Sequence, residues 1–363
     1  MDKYKENSYR EKTFLSDSTK LDTHYKTYSK PVLGTIMTLT CLFPILFCSC
    51  IESADNVEPS IRNMVSLDMT KGISTQCIEN LDIFTFDDDR LMKLDSYLRT
   101  DASGYDRLGI HSRSGDKIVF ICANSRTDRY GWSQISSYTS LHDRHAILEE
   151  EDIDALLMTG HGKIKAGNGQ TGEISIRPVA SEINLRSISC DFRGKSYEGE
   201  MMKNICVYLV NVNSRCSITA EGKVMPTHII NSGGLNEDDI SRFRHPEIIF
   251  RKLGQSIGVR QVRTDIRLLC YPNGAESEGP GSPFTRLVIE GEIEGEKYWW
   301  PIDINREDES TEKGIFRNCR YTYDVVIRRK GMNSPDTPAS AEDIDISIEI
   351  QSWDEKDSYS VGF

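Results

Sequence analysis

From Leu81 onward the chain is written in short runs of β-forming residues separated by polar turns, and that pattern confines it to an all-β fold. Leu81, Ile83, Phe84 and Phe86 form one such run, stopped by the turn Asp87-Asp88-Asp89-Arg90 before residues 91–98 resume it. Residues 117–122 are a continuous apolar run, the mark of a central strand buried on both faces. Residues 173–189 alternate, with Pro178 imposing a bend or an edge. A strong strand follows at 203–212, then polar and Gly-rich sequence to Glu237. There Asn236 can cap a short helix over 237–243 whose first turn is acidic. The β theme returns at 262–270, 285–293, 296–304, 320–328 and 343–350. Helical spacing is weak and confined to 132–138 and 147–157 in the first half. Two successive antiparallel β-sandwiches fit this spacing, with the boundary near residue 216.

Ahead of the strands lies a segment of a different kind. Residues 31–51 carry no charge, follow Lys26 and Lys30, and end in Leu46-Phe47-Cys48-Ser49-Cys50. A basic flank, an apolar run and a small residue before a cysteine describe a lipoprotein export signal, with Cys50 as the acylated new terminus. A retained spanning helix and an ordinary signal peptide are the alternatives; Gly34 and Pro44 dilute the hydrophobicity that a span requires. All three readings attach the protein to a membrane or export it. The polar residues 1–30 exceed what such a signal needs and are set aside as a start placed too far upstream.

Without residues 1–49 the chain keeps 37 basic and 51 acidic residues, a net charge of −14. That balance repels nucleic acid and anionic membrane surfaces, so no nucleic-acid partner is expected. Seven cysteines remain after Cys50, an odd number without a C-x-x-C pair. Cys122, Cys206 and Cys270 sit in apolar runs as small hydrophobes, and no obligatory disulfide is read, with Cys190–Cys206 left open.

Motifs of catalysis fail on context. Gly254-Gln255-Ser256-Ile257-Gly258 has the spacing of a nucleophile elbow, but a strand-like run follows and no histidine occurs after His245. Gly167, Gly169 and Gly172 spell a phosphate loop that opens no helix. His142 and His145 lack a third metal ligand, and Asp87–Asp89 lacks the spacing of a calcium loop. Tyr298-Trp299-Trp300 cannot all share one face of a strand, which favours packing over sugar stacking. No cofactor, metal or catalytic residue is expected.

The segments Glu79–Asp87 with Lys93–Tyr97, 204–212, 281–289, 318–325 and 344–363 together resemble the fimbrillin-like lipoproteins of Bacteroidota, subunits of type V pili. The resemblance implies two consecutive transthyretin-like antiparallel β-sandwiches after a lipoprotein signal. The parts are then a signal at 1–49, a tether at 50–64, sandwiches at 65–215 and 216–363, and a terminal strand at 343–350. The implied role is a structural pilus subunit, the anchor or another minor one, partnered by other fimbrial subunits and held in the outer membrane by its lipid. The alternative is a surface lipoprotein that binds glycans or host ligands. In the family, a trypsin-like protease removes an N-terminal strand from polymerising subunits. Arg62 and Lys71 are the only basic residues between Cys50 and the opening strand pair, which makes them the cleavage candidates. Ile344, Ile346, Ile348 and Ile350 alternate with polar residues, so that strand either closes its own sandwich or fills a neighbour's groove.

The lipid reading has a direct check. Cys50→Ala is expected to abolish incorporation of a clickable fatty acid and leave residues 1–49 attached; label that persists on the variant would refute it.

Overall fold

A computed structural model describes residues 63–70, 77–101, 107–167, 173–306, 312–340, 342–352 and 359–362. The chain divides into two compact units, Met1–Asn56 and Val57–Phe363, and every described residue lies in the second. Its first half contributes β1 (Asn63–Thr70), β2 (Asn80–Asp87), β3 (Leu94–Asp101), β4 (Arg107–Ser112), β5 (Gly115–Ala123), β6 (His145–Ile147), β7 (Met158–Ala166) and β8 (Glu173–Pro178). After these come β9 (Ser181–Cys190), β10 (Lys203–Val210), β11 (Val212–Asn213), β12 (Arg215–Ser217), β13 (Ile229–Ile230), β14 (Phe250–Lys252) and β15 (Val262–Cys270). The last strands are β16 (Arg286–Ile293), β17 (Glu296–Asp303), β18 (Cys319–Ile327), β19 (Ile344–Ser352) and β20 (Tyr359–Gly362).

One eight-stranded sheet, in the order β3-β2-β5-β7-β8-β20-β1-β4, forms the first half. Alternate residues of its strands, among them Leu81 and Ile83, Val119 and Ile121, and Ile174 and Ile176, meet in one apolar cluster. The intervening residues Phe84, Phe86, Phe120 and Cys122 are buried on the opposite face, where Trp132 meets Phe84 edge-on at 5.2 Å. This two-sided burial is why β5 reads as an unbroken apolar run. The covering segment, 124–157, is built of short turns rather than the weak helices expected there: Trp132–Gln134, Tyr138–Leu141 and Leu148–Glu150 are each a single 3-10 turn.

The second half is a sandwich of two four-stranded sheets, β14-β10-β16-β17 and β15-β9-β18-β19. Val207, Leu209, Leu287 and Trp300 of one sheet and Leu185, Leu268, Tyr323 and Val325 of the other belong to a single core. Pairing is antiparallel except between β9 and β18, which run parallel. β9 and β10, which precede the boundary expected near residue 216, bond with strands that follow it, while β12, at that boundary, bonds β6 of the first half. The Gly-rich stretch at 214–237 holds β12, which bonds β6, and β13, which bonds β11. The short helix appears at Glu237–Ile240, with the Asn236 side chain accepting from the Asp238 amide.

The halves are joined by the antiparallel pairing of β6 with β12 and by a shared apolar core, and two polar side chains strengthen the joint. Arg317 donates to the carbonyls of Thr159 and Arg177 at 2.8 Å, of Pro178 at 3.0 Å and of Ala220 at 3.2 Å, and to the Thr159 hydroxyl. Glu151, buried in the covering segment, accepts from the Tyr271 hydroxyl at 2.8 Å and from the Leu157 amide at 3.0 Å. Burial pushes its carboxyl up to about 7 against the opposing pull of those two donors. Because the folded value lies above the unfolded one, this contribution is complete at low pH and lost as pH rises through about 7. The melting temperature is therefore expected to fall between pH 5 and pH 8, by the equivalent of about 3 kcal/mol at most. Glu151→Gln should flatten that slope in thermal denaturation followed by circular dichroism; an unchanged slope would discount the group.

Candidate functional site

The strands nearest the two ends of the sequence, β1 and β20, lie side by side in the first sheet, between β8 and β4. β1 bonds β4 from Asn63↔Ser112 to Asp68↔Arg107 and bonds β20 from Asp68↔Gly362 to Thr70↔Ser360. β20 in turn bonds β8 from Tyr359↔Ile176 to Gly362↔Glu173. Two local devices hold the frame around this pair.

On one side, β8 shares only two register pairs with β7, at Met158↔Pro178 and Thr159↔Arg177, and then crosses close over it. A Cβ at Gly160 would stand 2.1 Å from the Ser175 carbonyl oxygen, and one at Gly162 would stand 2.8 Å from the Ile174 side chain. Only glycine permits that approach, so the glycines of β7 let the sheet fold onto itself.

On the other side, Asp95 of β3 fixes the end of β4. It accepts from the Ser112 hydroxyl at 2.8 Å, the Arg113 amide at 2.8 Å and Arg113 Nε at 2.7 Å. Lys117, 1% exposed, is held by Asp95 at 2.9 Å and by Asp87 at 2.5 Å, while Arg113 also reaches Asp87. Burial raises the Asp95 carboxyl, but hydrogen bonds from Lys117, Arg113 and Ser112 outweigh it and hold the group well below the usual carboxylate range. β3 and β4, the outermost strands of the sheet, are thereby fastened to each other.

β19, the strand expected to serve assembly, closes its own sandwich here, one of the two places open to it. It pairs with β18 from Cys319↔Ser352 to Ile327↔Ile344 without a bulge. Ile344 is 3% exposed, Ile346 and Ile348 pack against the core, and Ile350 is 43% exposed. Cys50, Arg62 and Lys71 lie outside the described residues, although β1 begins at the residue after Arg62 and ends at the residue before Lys71. The groups that shape the frame, Gly160, Gly162, Asp95 and Lys117, were not singled out from sequence. Gly160 and Gly162 interrupting a strand pattern are the one local signal that pointed to a close backbone approach.

The chemical candidates resolve as packing and turns. Residues 254–258 form a loop with Ile257 bridged to Met202, and Trp299 turns away from Tyr298 and Trp300. His142 bonds Thr219 and His145 bonds the Asp143 carbonyl, and Asp89 accepts from the amides of Leu91 and Met92. Of the candidate phosphate loop only Gly167 is described. Cys190 and Cys206 are both free thiols, as are the other described cysteines. No helix among the described residues is long and apolar enough to cross a membrane, and no three of their His, Cys, Asp or Glu side chains gather as metal ligands.

The frame has a testable weak point. Asp95→Ala removes the main acceptor of buried Lys117 and unties β4, and is expected to cost about 3 kcal/mol in denaturant unfolding. In the parent protein the Asp95 contribution is present above about pH 4 and fades as pH falls below it, since the folded value is the lower one. A loss under 1 kcal/mol would mean that Asp87 holds Lys117 without it.

The sequence matches no protein-family model, and no curated protein matches it significantly. Solved structures do resemble the fold. A proposed cell adhesion protein from Parabacteroides distasonis superposes with a TM-score of 0.60 at 15% identity, covering 81% of this chain and 97% of that one. One from Bacteroides eggerthii gives 0.57 at 14%, covering 81% and 97%. A fimbrilin (FimA) from Porphyromonas gingivalis gives 0.57 at 12%, covering 80% and 98%. At such identities the likeness speaks for architecture, and it agrees with the resemblance read from sequence: the chain has the all-β, fimbrillin-like fold of these Bacteroidota proteins.

Proposed function

We propose that the protein is a structural, non-enzymatic subunit of a cell-surface pilus, exported as a lipoprotein through Cys50 and assembled by β-strand addition. The observation that carries the reading is the joint placement of β1 and β20 between β8 and β4, within a fold shared with a fimbrilin. β1 and β20 are the first and last of the described strands, so both can be exchanged without unthreading the strands between them. Basic residues stand at each end of β1 in the sequence, Arg62 and Lys71. Cutting after Lys71 frees β1, whereas a cut after Arg62 leaves it attached; with β1 gone a groove opens between β20 and β4, and it widens to β8 once β20 is itself donated. A groove of this kind offers unpaired main-chain groups and apolar positions, which is what strand addition uses. β19, rooted in its own sandwich by Ile344, Ile346 and Ile348, is then the fixed base from which the residues after 352 reach a neighbour, with Ile350 at its rim. A subunit that keeps β1 and its lipid serves as the anchor in the outer membrane; one that loses them joins the shaft.

The test is biochemical. Filaments sheared from the native host should contain the protein, and N-terminal sequencing should read Gly72 for a shaft subunit that has lost β1, Asn63 for one cut from its lipid with β1 still attached, or a blocked acyl-Cys50 for an anchor. Deleting residues 353–363 should leave a folded monomer that no longer enters filaments. Absence from sheared filaments and from the filament base, with the protein present on cells, would defeat the proposal.

A further inference from the structure

The edges of the second sandwich are treated differently from one another. The outer edge of β17 is covered: the Trp299 amide donates to the Met332 carbonyl at 3.1 Å, the Met332 amide returns a bond at 2.7 Å, and Ala339 donates to Pro301 at 2.9 Å. β14 is three residues long, and β15 is interrupted by a bulge between Arg263 and Ile266. Shortness, bulges and covering segments are the ordinary means by which sheet edges are kept from pairing with other chains. β19 has none of them. It is nine residues long, free of proline, lysine and bulges, and lies at the end of its sheet with no described strand on its outer side.

The direction of its main-chain groups follows from the register. The Arg328 amide donates to the Asp343 carbonyl at 2.9 Å, which makes that pair hydrogen-bonded. Alternation then turns the odd-numbered residues of β19 toward β18, and the N–H and C=O groups of Ile346, Ile348 and Ile350 toward the open side. The carboxylates on its outer face are partly offset by neighbouring cations, Asp345 by Arg328 and Glu349 by Arg186 at 2.8 Å, so they bias the register of a second strand without barring its approach.

We propose that β19 is a self-pairing edge, through which two copies of this chain join antiparallel about a two-fold axis at Ile348. This proposal goes beyond the pilus role and does not depend on it. The charge pattern selects the register. With Ile348 opposite itself, Ile346 meets Ile350, Ser347 meets Glu349 and Asp345 meets Gln351, and all nine residues overlap. An axis at Ser347 sets Asp345 against Glu349, one at Glu349 sets that acid against itself, and one at Ile346 sets Asp343 against Glu349. Like charges directly opposite are unfavourable, so the axis at Ile348 is the one that pairs the full strand without such a clash. It also places outward-facing residues opposite outward-facing residues, as a continuous antiparallel ladder requires. The partner is therefore an identical strand, and the product is one sheet running through both copies.

The register can be trapped in the full-length chain on its native cells. Ser347→Cys with Glu349→Cys places thiols opposite each other across the axis, and mild oxidation is expected to give a disulfide-linked species of twice the monomer mass on a non-reducing gel. Adding Ile350→Pro deletes an outward N–H without touching the bonds to β18, and should reduce that species at least tenfold. Gln351→Asp, which sets an acid against the partner's Asp345 and changes only an exposed side chain, should do the same even if the proline variant folds poorly. Unchanged protease resistance marks the variants as folded. No dimer from a folded double-cysteine protein, a product of a mass other than twice the monomer, an equal yield from Ser347→Cys alone, or indifference to Gln351→Asp would each overturn the proposal.

Discussion

At the joint between the two halves, beside the β6–β12 pairing and a core that both share, one side chain grips four main-chain oxygens. Arg317 stands just ahead of β18 and donates to Thr159, Arg177, Pro178 and Ala220. Two of those carbonyls lie at the bend where the chain leaves the first sheet. Charge-assisted bonds of this kind are among the stronger ones available to a protein, and a planar guanidinium fixes several acceptors at once. The bend is thereby tied to β18, which runs parallel to β9 immediately beyond it. Everything from Ser181 onward takes its position from that pairing. The carboxyl of Glu151 against Tyr271 supports the same joint from the other side of the covering segment.

The first sheet holds its shape by two opposite means. At β7 it uses the absence of side chains, since Gly160 and Gly162 let β8 cross at a distance no Cβ would tolerate. At β3 and β4 it uses concentrated charge, with Asp95 gathering Lys117, Arg113 and Ser112. Between these fixed margins lie β1 and β20, whose partners are otherwise only each other, β4 and β8. A frame held on both sides of these two strands is what the proposed assembly by strand addition requires.

Charge also decides how the faces of the second sandwich behave. Arg186 with Asp324 and Glu349, and Glu182 with Arg267 and Arg320, lie on the outer face of the β9 sheet as paired ions. Such a face is solvated and unattractive to apolar partners. The other sheet has its outer face packed, where Tyr208, Val210 and Val288 are covered by Leu235, Phe250 and Trp299. Among the described residues, β19 is a sheet edge that no other strand covers.

Alternation of apolar and polar residues has a period of two and is a property of neighbours in sequence, so it gave the strands of the second half nearly to the residue: 262–270 matches β15, 296–304 exceeds β17 by one, and 343–350 lies within two of β19 at each end. The same locality exposed Pro178 as a break and Asn236 as a cap. Which strand lies beside which is settled by contacts between distant residues, and composition does not record them. The glycines at 214–237 suggested a domain boundary because they report chain freedom, whereas the change of sheet after Pro178 follows from β9 pairing with β18, more than a hundred residues away. The candidate assembly strand was legible as a pattern; that it closes its own sandwich, and that β20 sits beside β1, depended on tertiary packing. Sequence alone determined that this chain forms amphipathic strands, and only the folded structure decided which edges those strands leave open.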